Sequence, residues 1–368
     1  MSIMGFPNQP FHFEKVLNEL WPEILTWDVE NFLSELKFPM TIRTGQKQSI
    51  FSQKESEVST VASVTKTEFL RRFHSKICLH EWFYIDYKNA ESVFTKDITD
   101  LLDWYKLNLP EAANYKDAAF WLGTAGAHTP CHFDTYGFNV VVQLKGHKRW
   151  KLFYPGHELT PTRLPFEETT VYSQVDVRRP CGKCFPSSKG LKMIVVDMRE
   201  GDVLYVPKHW WHFVECIETA VNVNLWCPLP SDKIDQQKEA LTKLLLRKFT
   251  LGSEESNLIH SSEIESFASN EQEEIELNFL SKSKKNLDPK TLQEEDAIVY
   301  KDFIEFLKRN LETNPNCKRL EPNIELKTST DCCCLNDQLD KNPWKNVINS
   351  VLQNNVLEAA LKNLVEIS

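Results

Sequence analysis

With 368 residues, 41% of them hydrophobic and 26% charged, the chain has the composition of a globular protein with room for one large core and helical additions. Its formal net charge of −9 gives no bulk support for binding nucleic acid or an anionic membrane, and no stretch approaches the length of a membrane-spanning apolar helix. The start, MSIMGFPNQP, lacks the basic end and apolar segment of a signal peptide, and Cys78, Cys131, Cys216 and Cys227 fall in apparent core segments, so a reducing compartment, the cytoplasm or also the nucleus, is expected.

In chain order, residues 1–115 read as a mixed, largely helical region that supports the core. EKVLNELW and DVENFLSEL carry apolar residues at helical spacing, PMTIRTG reads as a strand, and SVTKTEFLRRFHSK as an amphipathic helix with Ser or Thr caps. From residue 116 to 230 short segments rich in Val, Ile, Phe, Tyr and Trp alternate with Gly and Pro: AAFWLGTAG, FNVVVQLKG, HKRWKLFYP, KMIVVDMREG, DVLYVP, WHFVECIE and AVNVNLW. No helix of about ten residues separates them, which predicts a jelly roll rather than a parallel sheet. Residues 155–190 interrupt this pattern as a long insertion, of the kind that is usually functional or partly disordered.

Residues 231–312 turn helical. DKIDQQKEALTKLLLRKF sets Ile234, Leu241, Leu244, Leu245 and Phe249 on one face, to pack on the sheet or on a partner. Residues 313–340, with Cys332, Cys333 and Cys334, are expected as a polar linker, and 341–368 as an apolar helix pair; these C-terminal helices offer a homodimer contact.

The chemistry concentrates in GAHTPCHFDTYGFNVVVQLKGHKRW. Residues two apart on a strand share a face, so His132 and Asp134 project together, an imidazole and a carboxylate suited to a divalent metal. A third ligand must come from another strand. His212, at the entrance to WHFVECIE, is the better candidate; His209 is its rival but follows Pro207 in an apparent loop. Cys131 alternates to the opposite face and reads as core.

HTPCHFD, VQLKGHKRWKLFYP, GDVLYVPKHWWHFVE and VNVNLW, in that order, resemble the JmjC class of iron(II)- and 2-oxoglutarate-dependent oxygenases. The resemblance covers about residues 118–226. It implies a mainly β core, a double-stranded β-helix or jelly roll of the cupin type, with N-terminal α/β elements and a C-terminal helical region. It implies Fe(II) on His132, Asp134 and His212, with 2-oxoglutarate as cosubstrate. Lys148 would pair with the distal carboxylate of that dianion beside the hydroxyls of Thr129 and Tyr84, while Asn139 and Asn224 would supply nearby amides and Trp226 an aromatic wall. Lys148 stands one residue further from His132 than in familiar hydroxylases of the class. That shift turns it to the wrong face unless Gly137 in DTYGF absorbs it.

Within the class, LGTAGAHTPCHFDTYGFNVVVQLKGHKRW with PTRLPFEETTVYS is similar to a branch associated with small heat-shock proteins. The expected function is hydroxylation of a protein side chain. A JmjC-fold adaptor for a small heat-shock protein in stress response is the alternative, and an RNA-directed hydroxylase a third that the charge disfavours. Cys181 and Cys184 have zinc-knuckle spacing but no second pair nearby, and read as an exposed thiol pair. His128 and His147 are expected outside the first ligand set, and Trp210 and Trp211 as packing residues.

Overall fold

The computed structural model describes residues 7–46, 59–75, 80–96, 98, 101–156, 159, 161, 170–250, 270–282, 288–328, 357 and 359. Its strands are β1 Phe11–Phe13, β2 Met40–Gln46, β3 Ser59–Val64, β4 Glu81–Asn89, β5 Ala119–Gly123, β6 His128–Asp134, β7 Phe138–Lys145, β8 Lys148–Phe153, β9 Thr170–Tyr172, β10 Lys192–Met198, β11 Val203–Val206, β12 Trp211–Cys216, β13 Ala220–Cys227, β14 Cys317–Arg319 and β15 Ile324–Glu325. The helices are α1 Leu17–Leu20, α2 Val29–Glu35, α3 Lys66–Phe73, α4 Ala90–Val93, α5 Asp232–Thr250, α6 Asn270–Lys282, α7 Pro289–Val299 and α8 Lys301–Thr313. All seven strands expected between residues 116 and 230 are present.

They form two antiparallel sheets. The major sheet runs β14-β1-β11-β7-β13-β5-β4-β2-β3 and the minor sheet β15-β10-β8-β12-β6-β9. From β5 to β8, and again from β11 to β13, each successive strand lies in the opposite sheet. This is the winding of a double-stranded β-helix.

Alternation explains the layers. Phe138, Val140, Val142 and Leu144 of β7, with Val221, Val223 and Leu225 of β13, join Phe32, Leu33, Phe303 and Leu307 in the largest core, between the major sheet and the helices. The residues between them face inward. There Val141, Leu204 and Val206 pack on Trp150, Leu152, Ile194 and Val214 of the minor sheet. The minor sheet's outer face, with Cys131, Phe153, Trp211 and Phe213, is covered by Leu159, Val171, Val175, Val177 and Phe185 of the insertion. The insertion therefore has a core of its own, and Trp210 and Trp211 are buried packing residues.

The N-terminal region is less helical than its periodicity suggests: β2, β3 and β4 extend the major sheet, and β1 pairs with β11. Two helices start as their sequences dictate, α2 on an Asp28–Asn31 capping box and α3 on the Thr65 side chain. The linker expected from residue 313 is corrected over its first part. Residues Cys317–Arg319 pair with β1, and Ile324 and Glu325 with β10, by backbone bonding that polar side chains do not prevent. Cys332–Cys334 and nearly all of the terminal helix pair lie outside the described residues.

Candidate metal centre

β6 lies between β12 and β9. His132 stands opposite His212, yet Thr129 stands opposite Val214, so three steps on β6 match two on β12. This bulge lets Thr129 and His132, an odd number of residues apart, both face the space between the sheets. Pro130, which has no N–H to leave unpaired, lies within it, and Cys131 turns to the insertion side, as alternation predicts.

Each site histidine is fixed by a backbone carbonyl. His132 Nδ1 donates to Pro130 O at 2.7 Å and His212 Nδ1 to Trp210 O at 2.9 Å. A carbonyl can only accept, so Nδ1 of each ring carries a proton and Nε2 is the atom left to face a metal. His132 Nε2 is 3.8 Å from Asp134 Oδ1, and His212 Nε2 is 3.9 Å from Asp134 Oδ2. One ligand atom from each of the three residues fits within a span of 4.8 Å. Donors about 2.1 Å from a shared ion stand some 3–4 Å apart, so the spacing and the two-histidine, one-carboxylate set fit a divalent iron-type ion. Burial, followed by the neighbouring His212, pushes the His132 pKa well below the ordinary imidazole value, which keeps the ring neutral for metal binding. Trp226 Nε1 donates to Asp134 Oδ2 at 2.8 Å and sets the carboxylate's orientation.

Behind the triad is a cavity of about 360 Å³, including its open mouth, lined by both sheets. Lys148 is 1% exposed at its inner end; its Nζ donates to Tyr84 Oη at 3.0 Å and to Asn222 Oδ1. Thr129 also hydrogen-bonds the Tyr84 hydroxyl. Asn224 Nδ2 donates to Asn139 Oδ1 at 2.9 Å, and Trp121 Nε1 donates to Asn224 Oδ1 at 2.6 Å. His132, His212, Lys148, Thr129, Tyr84, Asn139, Asn224 and Trp226 thus line one cavity, with Asp134 beside it.

The spacing of Lys148 has a structural answer. Between His132 and Lys148 the chain crosses to the major sheet and back, so strand parity does not carry through. Gly137 and Gly146, at φ +62° and +69°, make the crossings; a Cβ on Gly137 would meet Cys227 O at 2.4 Å. Lys148 faces the cavity.

Asn222, Trp121 and Tyr87 also line the cavity and are not among the residues expected there. Asn222 is legible in hindsight, two residues before Asn224 on the same strand face. Tyr87 is not: it adopts φ 49° where β4 slips against β5 between Ile85 and Lys88. Its ring packs on Trp121 at 4.3 Å and Trp226 at 6.0 Å, and its hydroxyl bonds Tyr172 across the mouth.

His209 is outside the triad, its Nε2 donating to Thr135 O at 3.0 Å. His147 pairs with Asp197 at 2.9 Å and His128 packs on Trp82. Cys181 is buried and Cys184 half-buried rather than exposed, with Cys184 packed against the insertion core that contains Phe185. Among the described residues, no other histidine, cysteine and carboxylate group is placed to hold a metal.

Two imidazoles and a carboxylate that converge between the sheets of a double-stranded β-helix form the donor set of a candidate metal centre in a cupin-type fold. The chain belongs to the cupin-like JmjC family: the cupin-like domain profile matches residues 4–232. It is 42% identical over 179 residues to HSPB1-associated protein 1 of Homo sapiens, covering 47% of this chain and 36% of that one. It is 36% identical over 243 residues to the HSPB1-associated protein 1 homolog of Danio rerio, covering 61% of this chain and 54% of the relative. Lysine-specific demethylase JMJ30 of Arabidopsis thaliana is 34% identical over 108 residues, 29% of this chain and 24% of its own. The chain thus spans about a third to a half of the length of the HSPB1-associated relatives.

Proposed function

We propose that the protein is an Fe(II)- and 2-oxoglutarate-dependent oxygenase that hydroxylates a protein side chain. The observation that carries this is the convergence of His132, Asp134 and His212 beside a cavity whose inner end holds a buried lysine. When bound, the metal and the 2-oxo acid supply the oxygen activation that side-chain chemistry lacks.

The residues of the chain do the rest. His132 and His212 offer their Nε2 atoms and Asp134 a carboxylate, leaving the side toward the cavity open. Lys148, with the hydroxyls of Tyr84 and Thr129, receives the distal carboxylate of the dianion and replaces its water. Asn139 and Asn224 orient the middle of the cosubstrate, and Trp226 holds Asp134 still. The mouth at Tyr87 and Tyr172 receives the target side chain. The test is conversion of 2-oxoglutarate to succinate by purified protein with iron(II), with His132→Ala and Asp134→Ala as controls. Protein that binds neither metal nor 2-oxoglutarate would refute the reading.

A second reading, an adaptor for a small heat-shock protein in the cytoplasm or nucleus, is favoured by the name shared by several relatives. Capture of a small heat-shock protein equally by wild type and by Asp134→Ala would support it; capture by neither would exclude it.

A further inference from the structure

The helix that follows the matched domain makes unusual use of its first turns. α5 buries Asp232, Asp235 and Lys238, while Ile234, expected to lead its packing face, is only half-buried. The helix docks by charge because of what it meets: the two turns that carry the metal ligands.

One turn is Thr135–Gly137, directly after Asp134. The other is Lys208–His209, shortly before His212. Asp232 Oδ2 accepts from Gly137 N at 3.0 Å and from Leu229 N at 2.7 Å, and Asp232 Oδ1 accepts from Lys208 Nζ at 3.0 Å. Lys208 also reaches Asp235 Oδ2 at 2.8 Å. Asp235 lies 3.5 Å from His209 Nε2, and that nitrogen donates to Thr135 O. The loop closes on the ligand itself: His209 N donates to Asp134 O at 3.1 Å, from a backbone held at φ 66°. A non-glycine residue persists there only where its surroundings compel it.

We propose that Asp232 is a positioning residue of the metal centre, holding the Asp134 and His212 turns in register through Gly137 and Lys208. α5 begins where the family match ends, so the helical region is mechanically part of the site. The inference rests on the metal reading above. Asp232 touches no ligand side chain. It acts on the backbone at Gly137, whose left-handed turn aims the chain from Asp134 into β7, and on the cation that anchors the neighbouring turn. The aspartate is suited to this because one carboxylate accepts two backbone N–H groups and an ammonium at once, which no neutral side chain does equally.

The test is Mn(II) affinity, read by electron paramagnetic resonance of the full chain, together with the thermal midpoint of the metal-free protein. Asp232→Ala is expected to weaken Mn(II) binding by about 10- to 100-fold, the usual effect of removing support from a metal ligand. Asp232→Asn, which keeps a neutral acceptor for Gly137 N, should fall at the lower end of that range, and it carries the test if the alanine variant does not fold. Asp296→Ala is the structural control: Asp296 caps the same junction by accepting from Ser231 N at 2.9 Å and meets the Lys208 turn only through Ser231, whose hydroxyl also accepts from Lys208 Nζ at 3.2 Å. It should lower the thermal midpoint while leaving Mn(II) affinity well above that of the Asp232 variants. Wild-type affinity in the Asp232 variants, or an equal loss in Asp296→Ala, would overturn the positioning role. Wild-type protein that binds no Mn(II) would instead remove the metal centre, and the positioning role with it.

Discussion

Replacing Lys148 by Met separates a ligand-binding lysine from a structural one, because the two roles predict opposite results. The ammonium is buried, with Tyr84 and Asn222 as its partners. Burial works against its charge, but Tyr84, then Cys216, outweigh that and hold its pKa above the ordinary lysine value. That help exists only where the phenol and thiol are ionised, and burial pushes both of their pKa values up. Near neutral pH both are uncharged. What remains is a cation whose desolvation costs several kcal/mol, returned only in part by two neutral hydrogen bonds and the weaker pull of the Asp86 carboxylate. Methionine of similar length removes that cost, so the ligand-free Lys148→Met protein should melt no lower than wild type. With the dianion bound, a charge-assisted contact worth about 1.5–3 kcal/mol is lost and a buried carboxylate is left unpaired. Affinity for 2-oxoglutarate should fall by about 2–4 kcal/mol, roughly 30- to 1000-fold. Calorimetric titration of 2-oxoglutarate into Mn(II)-loaded protein, beside melting of the ligand-free forms, measures both. Unchanged affinity, or a ligand-free midpoint lowered by more than about 3 °C, roughly 1 kcal/mol or more, would refute the reasoning.

Trp226→Phe removes the indole N–H that fixes Asp134 and should weaken Mn(II) binding about 10-fold with little loss of fold stability; unchanged binding would show that the carboxylate is oriented by other contacts. Gly137→Ala combines a left-handed backbone with a Cβ on Cys227 O and should cost more than about 2 kcal/mol in urea unfolding; a smaller cost would mean that the turn can relax. Burial, then Arg178, pushes the His128 pKa down to about 4, so the unfolded chain takes up this proton first as pH falls. Its contribution is full above about pH 6.5 and should shrink by about 2 kcal/mol by pH 5, so His128→Phe should flatten the acid limb of stability against pH; an unchanged slope would count against the buried neutral imidazole.

The legibility of the fold follows side-chain chemistry. FNVVVQLKG and AVNVNLW read as strands because one face packs on the helical layer and only the other meets the cavity. β6 carries HTPCHFD, polar where it faces the cavity and interrupted by a bulge, so no alternation announces it. The clustering of His132 and Asp134 is still readable, since the two share a face on the straight part of the strand. β14 is CKR, with two exposed residues and no apolar period; only its hydrogen bonds to β1 make it a strand. Counting residues from His132 to Lys148 misleads because parity holds along one strand and the chain crosses sheets twice. The apolar stripe of α5 is readable too, but it conceals the buried aspartates that dock the helix, because a charge paired across 24 residues leaves no local pattern.

The division of labour between the sheets links the site to folding. The triad, Thr129 and Lys148 come from the minor sheet, whereas Tyr84, Asn139, Asn222 and Asn224 come from the major one. The bonds from Trp226 to Asp134 and from Lys148 to Tyr84 and Asn222 therefore cross between layers. Against the same cavity, Val141, Trp150 and Val214 join Leu204 in an apolar contact that needs no ligand. The polar lining is different, because it concentrates a buried cation, two imidazoles and a carboxylate whose desolvation only a ligand can fully offset. An ion and a dianion that bind the joined sheets, and not the unfolded chain, stabilise the fold by about 2.7 kcal/mol at 100 times their dissociation constant. Mn(II) with 2-oxoglutarate should accordingly raise the thermal midpoint of wild type, and should not raise that of Asp134→Ala. Equal shifts in the two proteins would place the bound ion somewhere other than between the sheets.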